Sequence, residues 1–141
     1  MRDSDQLTVQ FRAQGLRVTP QRQAIFAELF GDDTHPTVES LYECVRRELP
    51  LISLKTVYQT VHDLEALGEV RILDLGTGSV RVDPNVDDAH HHLVCTSCGR
   101  VRDLPIAFDG LRVPLRYRRD FAVDDAHVIF RGRCHDCSAD R

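Results

Sequence analysis

The chain has 141 residues, 42% hydrophobic and 28% charged, the composition of globular domains rather than of disordered or fibrous chains. No apolar run approaches the ~20 residues of a membrane span, and the opening MRDSDQLTVQ lacks a signal-peptide core, so a cytoplasmic protein with no membrane partner is expected. The formal net charge is -4 with Lys55 as the only lysine, which argues against a nonspecific nucleic-acid coat but permits a focused basic face.

LRVTPQRQAIFAELF predicts a first helix, with Thr19 as N-cap, Pro20 at the first helical position, and Ala24, Ile25 and Leu29 on its apolar side. HPTVESLYECVRREL repeats the device, with Thr37 as cap and Val38, Leu41, Tyr42, Val45 and Leu49 at helical spacing. Cys44 falls in this pattern and reads as a small core residue. ISLKTVYQTVHDLEALG gives a third helix, capped by Ser53 and stopped at Gly68, with Leu54, Val57, Val61, Leu64 and Leu67 as its buried stripe. Its other face carries Lys55, Thr56, Tyr58, Gln59 and His62. The period then switches to strand in EVRILDL and VRVD, joined by a Gly76–Ser79 turn. Helices followed by a glycine-turned hairpin describe a winged helix-turn-helix over residues 1–83, whose third helix would enter a DNA major groove. Any solvated helix shows polar residues opposite an apolar stripe. The types favour DNA: Lys55 suits phosphate, while Thr56, Tyr58 and Gln59 suit base edges. Met1 to Asp74 contains eight basic residues against twelve acids, so Arg12, Arg17 and Arg22 are expected to focus the basic patch.

Residues 84–141 carry the metal chemistry. His90, His91 and His92 run together in DDAHHHLVCTSCG. In an extended segment His90 and His92 share a face and His91 takes the other. Two imidazoles begin a borderline-metal site, for which Asp83, Asp87, Asp88, Asp103 and His35 are further candidates by type. Cys95/Cys98 and Cys134/Cys137 form two C-x-x-C pairs, and Gly99 can supply the left-handed geometry that follows a zinc knuckle. Four sulfurs complete a tetrahedral Zn2+ shell; two disulfides or a redox pair are the alternatives.

In that order, LRVTPQRQAIF, HPTVESLYECV, SLKTVYQTVHDLEALGEV, HHHLVCTSCGRVRDL and GRCHDC resemble the ferric uptake regulator family of bacterial metalloregulators over nearly the whole chain. The resemblance implies an α+β homodimer: an N-terminal winged helix-turn-helix domain over residues 1–83, then a small α/β dimerisation domain over 84–141. It implies structural Zn2+ on Cys95, Cys98, Cys134 and Cys137, and regulatory Fe2+ or Mn2+ on His35, Asp83, His90, His92 and Asp103. It also implies promoter DNA as partner, with Arg17 and Tyr58 at contacting positions beside Lys55, Thr56 and Gln59. Aspartate at 83 and 103 resembles the peroxide-sensing branch, in which bound Fe2+ and hydrogen peroxide oxidise a ligand histidine, here His35 or His90. An iron- or manganese-responsive uptake regulator is the alternative.

The chain departs from the family where some members build a further metal site. The leading histidine is Ala89, and Gly110 and Pro114 would break the helix supplying a carboxylate, so His91 and His127 read as remnants. Arg112, Arg116, Arg118 and Arg119 read as a solvated face, and His62 and His135 as bystanders. No nucleophile or substrate pocket is visible, which disfavours a metallohydrolase or any enzyme acting on a small molecule. A zinc-ribbon interaction protein would need neither the second ligand set nor the polar third-helix face.

Overall fold

The computed structural model describes residues 1–106 and 112–138, in two compact units, Met1–Asp87 and Asp88–Arg141. The first unit holds four helices: α1 (Ser4–Ala13), α2 (Pro20–Leu29), α3 (Val38–Glu48) and α4 (Leu54–Ala66). Each begins on a side-chain cap: the carboxylate of Asp3, and the hydroxyls of Thr19, Thr37 and Ser53, accept an N–H from the first turn. At α1, Gln6 reaches back to the Asp3 backbone to close a capping box, a signal in DSDQ that the sequence reading passed over. Leu7 and Phe11 of α1 are fully buried, and the Phe11 ring meets Phe26 edge-on with centroids 4.8 Å apart.

Ile25, Leu29, Val38, Leu41, Val45, Ile52, Val57, Val61, Leu64, Val70 and Val82 fill the rest of this core. The stripe on α4 differs from expectation at its ends: Leu54 is exposed and Leu67 half-buried, while Thr60 is buried. The Thr60 hydroxyl donates to the Thr56 carbonyl at 2.7 Å, so its burial leaves no unmet donor. Cys44 is half-buried rather than a core residue. After α4, β1 (Arg71–Leu73) and β2 (Arg81–Asp83) pair antiparallel, Ile72 opposite Val82. Gly76 and Gly78 in the connecting turn take φ of +70° and +88°, which side-chain-bearing residues rarely adopt.

The second unit is a three-stranded sheet of order β4-β3-β5: β3 (His91–Cys95), β4 (Val101–Leu104) and β5 (Ile129–Gly132). β3 pairs antiparallel with β4 and parallel with β5. A short helix, α5 (His135–Ser138), follows β5. Pro114 precedes a 3-10 turn at Leu115–Tyr117; Gly110 and the segment 107–111, where the interrupted helix is expected, lie outside the described residues. Arg112, Arg116, Arg118 and Arg119 are exposed, as are His62 and His135. No helix among the described residues is long and apolar enough to cross a membrane.

Candidate functional site

The four cysteines come together at one end of the sheet. Cys95 closes β3 and Cys98 follows in a tight turn; Cys134 follows β5 and Cys137 sits on α5. The turn closes through the Gly99 N–H on the Cys95 carbonyl at 2.9 Å, with Gly99 at φ +72°, as its position after the second thiol predicts. Parallel pairing of Cys95 with Gly132 brings the second pair alongside. All four sulfurs lie within 4.8 Å of one another, and Cys98 Sγ stands 3.8 Å from Cys134 Sγ. A disulfide needs about 2.05 Å, and all four thiols are free, so the disulfide alternative is set aside. Zn–S bonds of about 2.3 Å in a tetrahedron give sulfur edges of about 3.8 Å.

The electrostatics of this cluster suit a dication. Backbone N–H groups of Cys134 and Cys98 hold the Cys95 thiol down to about 6, whereas hydrogen bonding with the Cys134 and Cys98 sulfurs pushes Cys137 up to about 12. Without a cation the first thiolate forms readily and a later one is opposed by its neighbours. A bound Zn2+ reverses that opposition. Arg100 pairs with Asp136 at 2.7 Å, and the nearby thiols add to the preference for its charged form.

Two further ligand sets are built, one in each unit. In the first unit, His35 lies in the loop before α3 and Asp83 ends β2; both are fully buried. His35 is the only non-glycine residue at positive φ among the described residues, at +54°, a conformation costing on the order of 1 kcal/mol. The hairpin pins it there: Arg81 donates to the His35 carbonyl at 3.2 Å, and Val82 N–H donates to Pro36 O at 2.9 Å. His35 Nδ1 lies 3.1 Å from the Asp33 carbonyl, which can only accept, so Nδ1 donates and Nε2 is left as the ligand atom. That Nε2 lies 3.7 Å from Asp83 Oδ1.

In the second unit, His90 repeats the arrangement, with Nδ1 held by the Asp88 carbonyl at 2.9 Å. His90 Nε2 and His92 Nε2 lie 3.6 Å and 3.7 Å from the same oxygen, Asp103 Oδ1. Register explains the meeting, since His92 pairs with Asp103 across β3 and β4. His90 and His92 are buried on one face and His91 is half-buried, in line with the alternation expected from sequence. Separations of 3.6–3.7 Å exceed hydrogen-bond length; within each unit, imidazole nitrogens and carboxylate oxygens facing one another at that range suit metal ligands, which stand about 2.1 Å from their ion. Asp87 and Asp88 contribute no side chain: Asp87 is exposed and accepts from the Met1 ammonium. Sequence reasoning took His127 for a remnant of a further metal site and missed its contact with His92, whose Nδ1 lies 2.6 Å from His127 Nε2. Its one signal was a position two residues before β5, which pairs with the histidine strand.

On α4, Lys55 and Gln59 are exposed, and Thr56 and Tyr58 half-buried. Arg17 and Arg12 are exposed as well. Arg22 is a correction: it forms an ion pair with Asp63, its guanidinium stacks over Phe11, and little of it reaches solvent. The second unit also holds a groove of about 380 Å³ lined by Arg102, Arg131, Arg133 and Phe130.

A hairpin-bearing helical unit joined in one chain to a sheet unit with four thiols and a histidine–aspartate set defines a metalloregulator. The chain belongs to the ferric uptake regulator family, whose sequence model matches residues 13–109. It is 32% identical over 127 residues to the peroxide-responsive repressor PerR of Staphylococcus aureus strain Mu50, covering 89% of this chain and 85% of that protein. The Staphylococcus saprophyticus PerR is 33% identical over the same shares. In fold the chain resembles the Helicobacter pylori ferric uptake regulator Fur, with a TM-score of 0.75 at 18% identity over 95% of this chain and 90% of that one. A zinc-bound manganese uptake regulator gives 0.71 at 27% identity, over 94% and 99%.

Proposed function

We propose that the chain is a homodimeric, DNA-binding repressor that responds to peroxide through a regulatory Fe2+, with Zn2+ on the four cysteines as a structural ion. The single observation that carries this reading is the kinship at 32–33% identity, over 89% of the chain, with peroxide-responsive repressors. Aspartate at both carboxylate positions, 83 and 103, supports the same branch. The proposed regulatory ligands are His35, Asp83, His90, His92 and Asp103. Neither unit alone supplies a full set: the first offers one imidazole and one carboxylate, the second two imidazoles and one carboxylate.

Held by these residues, Fe2+ would supply the electrons that reduce hydrogen peroxide, chemistry that would oxidise a ligand histidine. The chain's own residues set where that happens. The carbonyls of Asp33 and Asp88 fix His35 and His90 with Nε2 presented as ligand atom. His127 holds His92 from behind. Ligands drawn from both units favour one arrangement of reader and sheet, so loss of one imidazole removes that preference. Arg17, Lys55, Thr56, Tyr58 and Gln59 are the proposed DNA contacts.

A manganese- or iron-responsive uptake regulator is the second reading, supported by the likeness to a manganese uptake regulator. One experiment separates the two. Protein loaded with Fe2+ or Mn2+ is bound to DNA and treated with hydrogen peroxide, and its peptides are weighed. Release from the iron form alone, with an oxygen atom added to His35 or His90, is expected. Release from neither form refutes peroxide sensing and leaves the uptake reading.

A further inference from the structure

A carboxylate on α3 engages the reading face of α4, and the DNA-contact assignment does not use it. The Tyr58 hydroxyl donates to Glu39 Oε1, on the first turn of α3. Both side chains are solvent-accessible. A phenol has one proton and two lone pairs, and an ionised carboxylate can only accept, so the direction of this bond is fixed. The same contact holds Glu39 below the usual carboxylate range and raises the Tyr58 phenol. Elsewhere on α4 the Gln59 amide donates to Asp63 at 2.9 Å, and Asp63 also pairs with Arg22.

The geometry points to Glu39 as a specificity-determining residue that, by holding the only proton of Tyr58, makes the tyrosine oxygen an acceptor toward DNA. This rests on the reading of α4 as the DNA-contacting helix. Phosphate oxygens only accept, so an acceptor-only Tyr58 oxygen cannot hydrogen-bond the backbone. In the major groove the donors are the exocyclic amino groups of adenine (N6) and cytosine (N4); guanine presents N7 and O6, and thymine O4 and its methyl group. The Tyr58 oxygen therefore selects a base bearing an amino group. Glu39 contributes twice: it sets that polarity, and its charge discourages phosphate from entering the same space.

The test uses the full-length Mn2+-loaded chain and duplexes that the wild type enriches from a random-sequence pool. Each base pair is then substituted in turn, and binding is measured for wild type, Tyr58→Phe and Glu39→Ala. Wild type is expected to favour adenine or cytosine at one position per half-site. Tyr58→Phe should lose that preference, a change of about two- to tenfold, with other positions unchanged. Glu39→Ala frees the hydroxyl proton while leaving the lone pairs, so the preference at that position should relax to admit guanine or thymine. Unchanged base preferences in Glu39→Ala overturn the inference, as does a Tyr58→Phe loss spread equally over all duplexes. If the wild type enriches no sequence, the DNA-reading assignment itself fails and takes this inference with it.

Discussion

Removing zinc from the full chain is expected to unfold the sheet unit and leave the helical unit folded. Among the described residues of the second unit, the buried aliphatic side chains are Val94 and Val101, each 4% exposed. Burying a valine stabilises by about 1.5–3 kcal/mol, so the pair contributes about 3–6 kcal/mol. Ordering a backbone costs about 1–2 kcal/mol per residue, and β3, β4 and β5 hold thirteen residues between them. Two valines cannot offset that, whereas a four-thiolate zinc contributes about 10–16 kcal/mol. The first unit differs, because fourteen buried hydrophobic residues form its core. Amide hydrogen exchange read by mass spectrometry, before and after chelation under reducing conditions, tests this. Amides of β3 and β5 should lose protection while those of α2 and α4 keep theirs. Strand amides equally protected in zinc-free, reduced protein would refute the argument. Zinc affinity should also rise at least tenfold per pH unit near neutrality, because the Cys137 proton, held up to about 12, must leave on binding.

Leu64→Ala, at a fully buried position on α4, should destabilise the helical unit by about 2–5 kcal/mol, read by urea denaturation of the zinc-loaded chain. His35→Ala should abolish Mn2+-dependent retention of DNA while the four-cysteine zinc stays bound, as measured by metal analysis of the purified protein; persistence of the Mn2+ response removes His35 from the site. His127→Ala should weaken Mn2+ binding about 10–100-fold, and His127→Gln should recover part of it, because an amide can restore a hydrogen bond to His92 Nδ1; calorimetry decides. Lys55→Ala should lower affinity evenly across sequences and reduce the salt dependence of log K by about one per protomer; an unchanged slope means that Lys55 touches no phosphate.

Local rules made the helical unit readable. Thr19, Thr37 and Ser53 each announce a helix start because a hydroxyl before an apolar run can satisfy an orphaned N–H. Gly76 and Gly78 mark the hairpin because few other residues accept their φ. The four thiols were readable because C-x-x-C fixes two ligands per turn, leaving tertiary structure only to bring the turns together. Features that depend on through-space partners were harder to read. Nothing near Arg22 in sequence indicates that Asp63, forty-one residues later, will take its charge. His127 acquires its partner only because β5 pairs parallel with β3, a long-range choice that periodicity does not encode. The buried left-handed His35 likewise depends on Arg81 and Val82 of the hairpin.

The division of charge between the units bears on why a regulator of this kind would need its metal. Residues 1–87 contain nine basic and fourteen acidic side chains, and residues 88–141 nine and eight, so the proposed reader carries a net -5. Several of its cations are also committed internally: Arg2 to Glu69, Arg22 to Asp63 and Arg46 to Glu43. Arg47 and Arg71 are exposed as well, but of the basic groups only Arg17 and Lys55 are proposed DNA contacts, and Arg12 joins them in the basic patch expected from sequence; about three phosphate contacts per protomer supply little nonspecific affinity at physiological salt. Under the proposed function, such a reader holds DNA only when both protomers engage together and each keeps the arrangement its ligands favour, because a second contact at fixed geometry is effectively intramolecular. A strongly basic reader would bind with or without the ion. The weak electrostatics of the helical unit thus give a modest metal-dependent preference enough leverage to decide between bound and free.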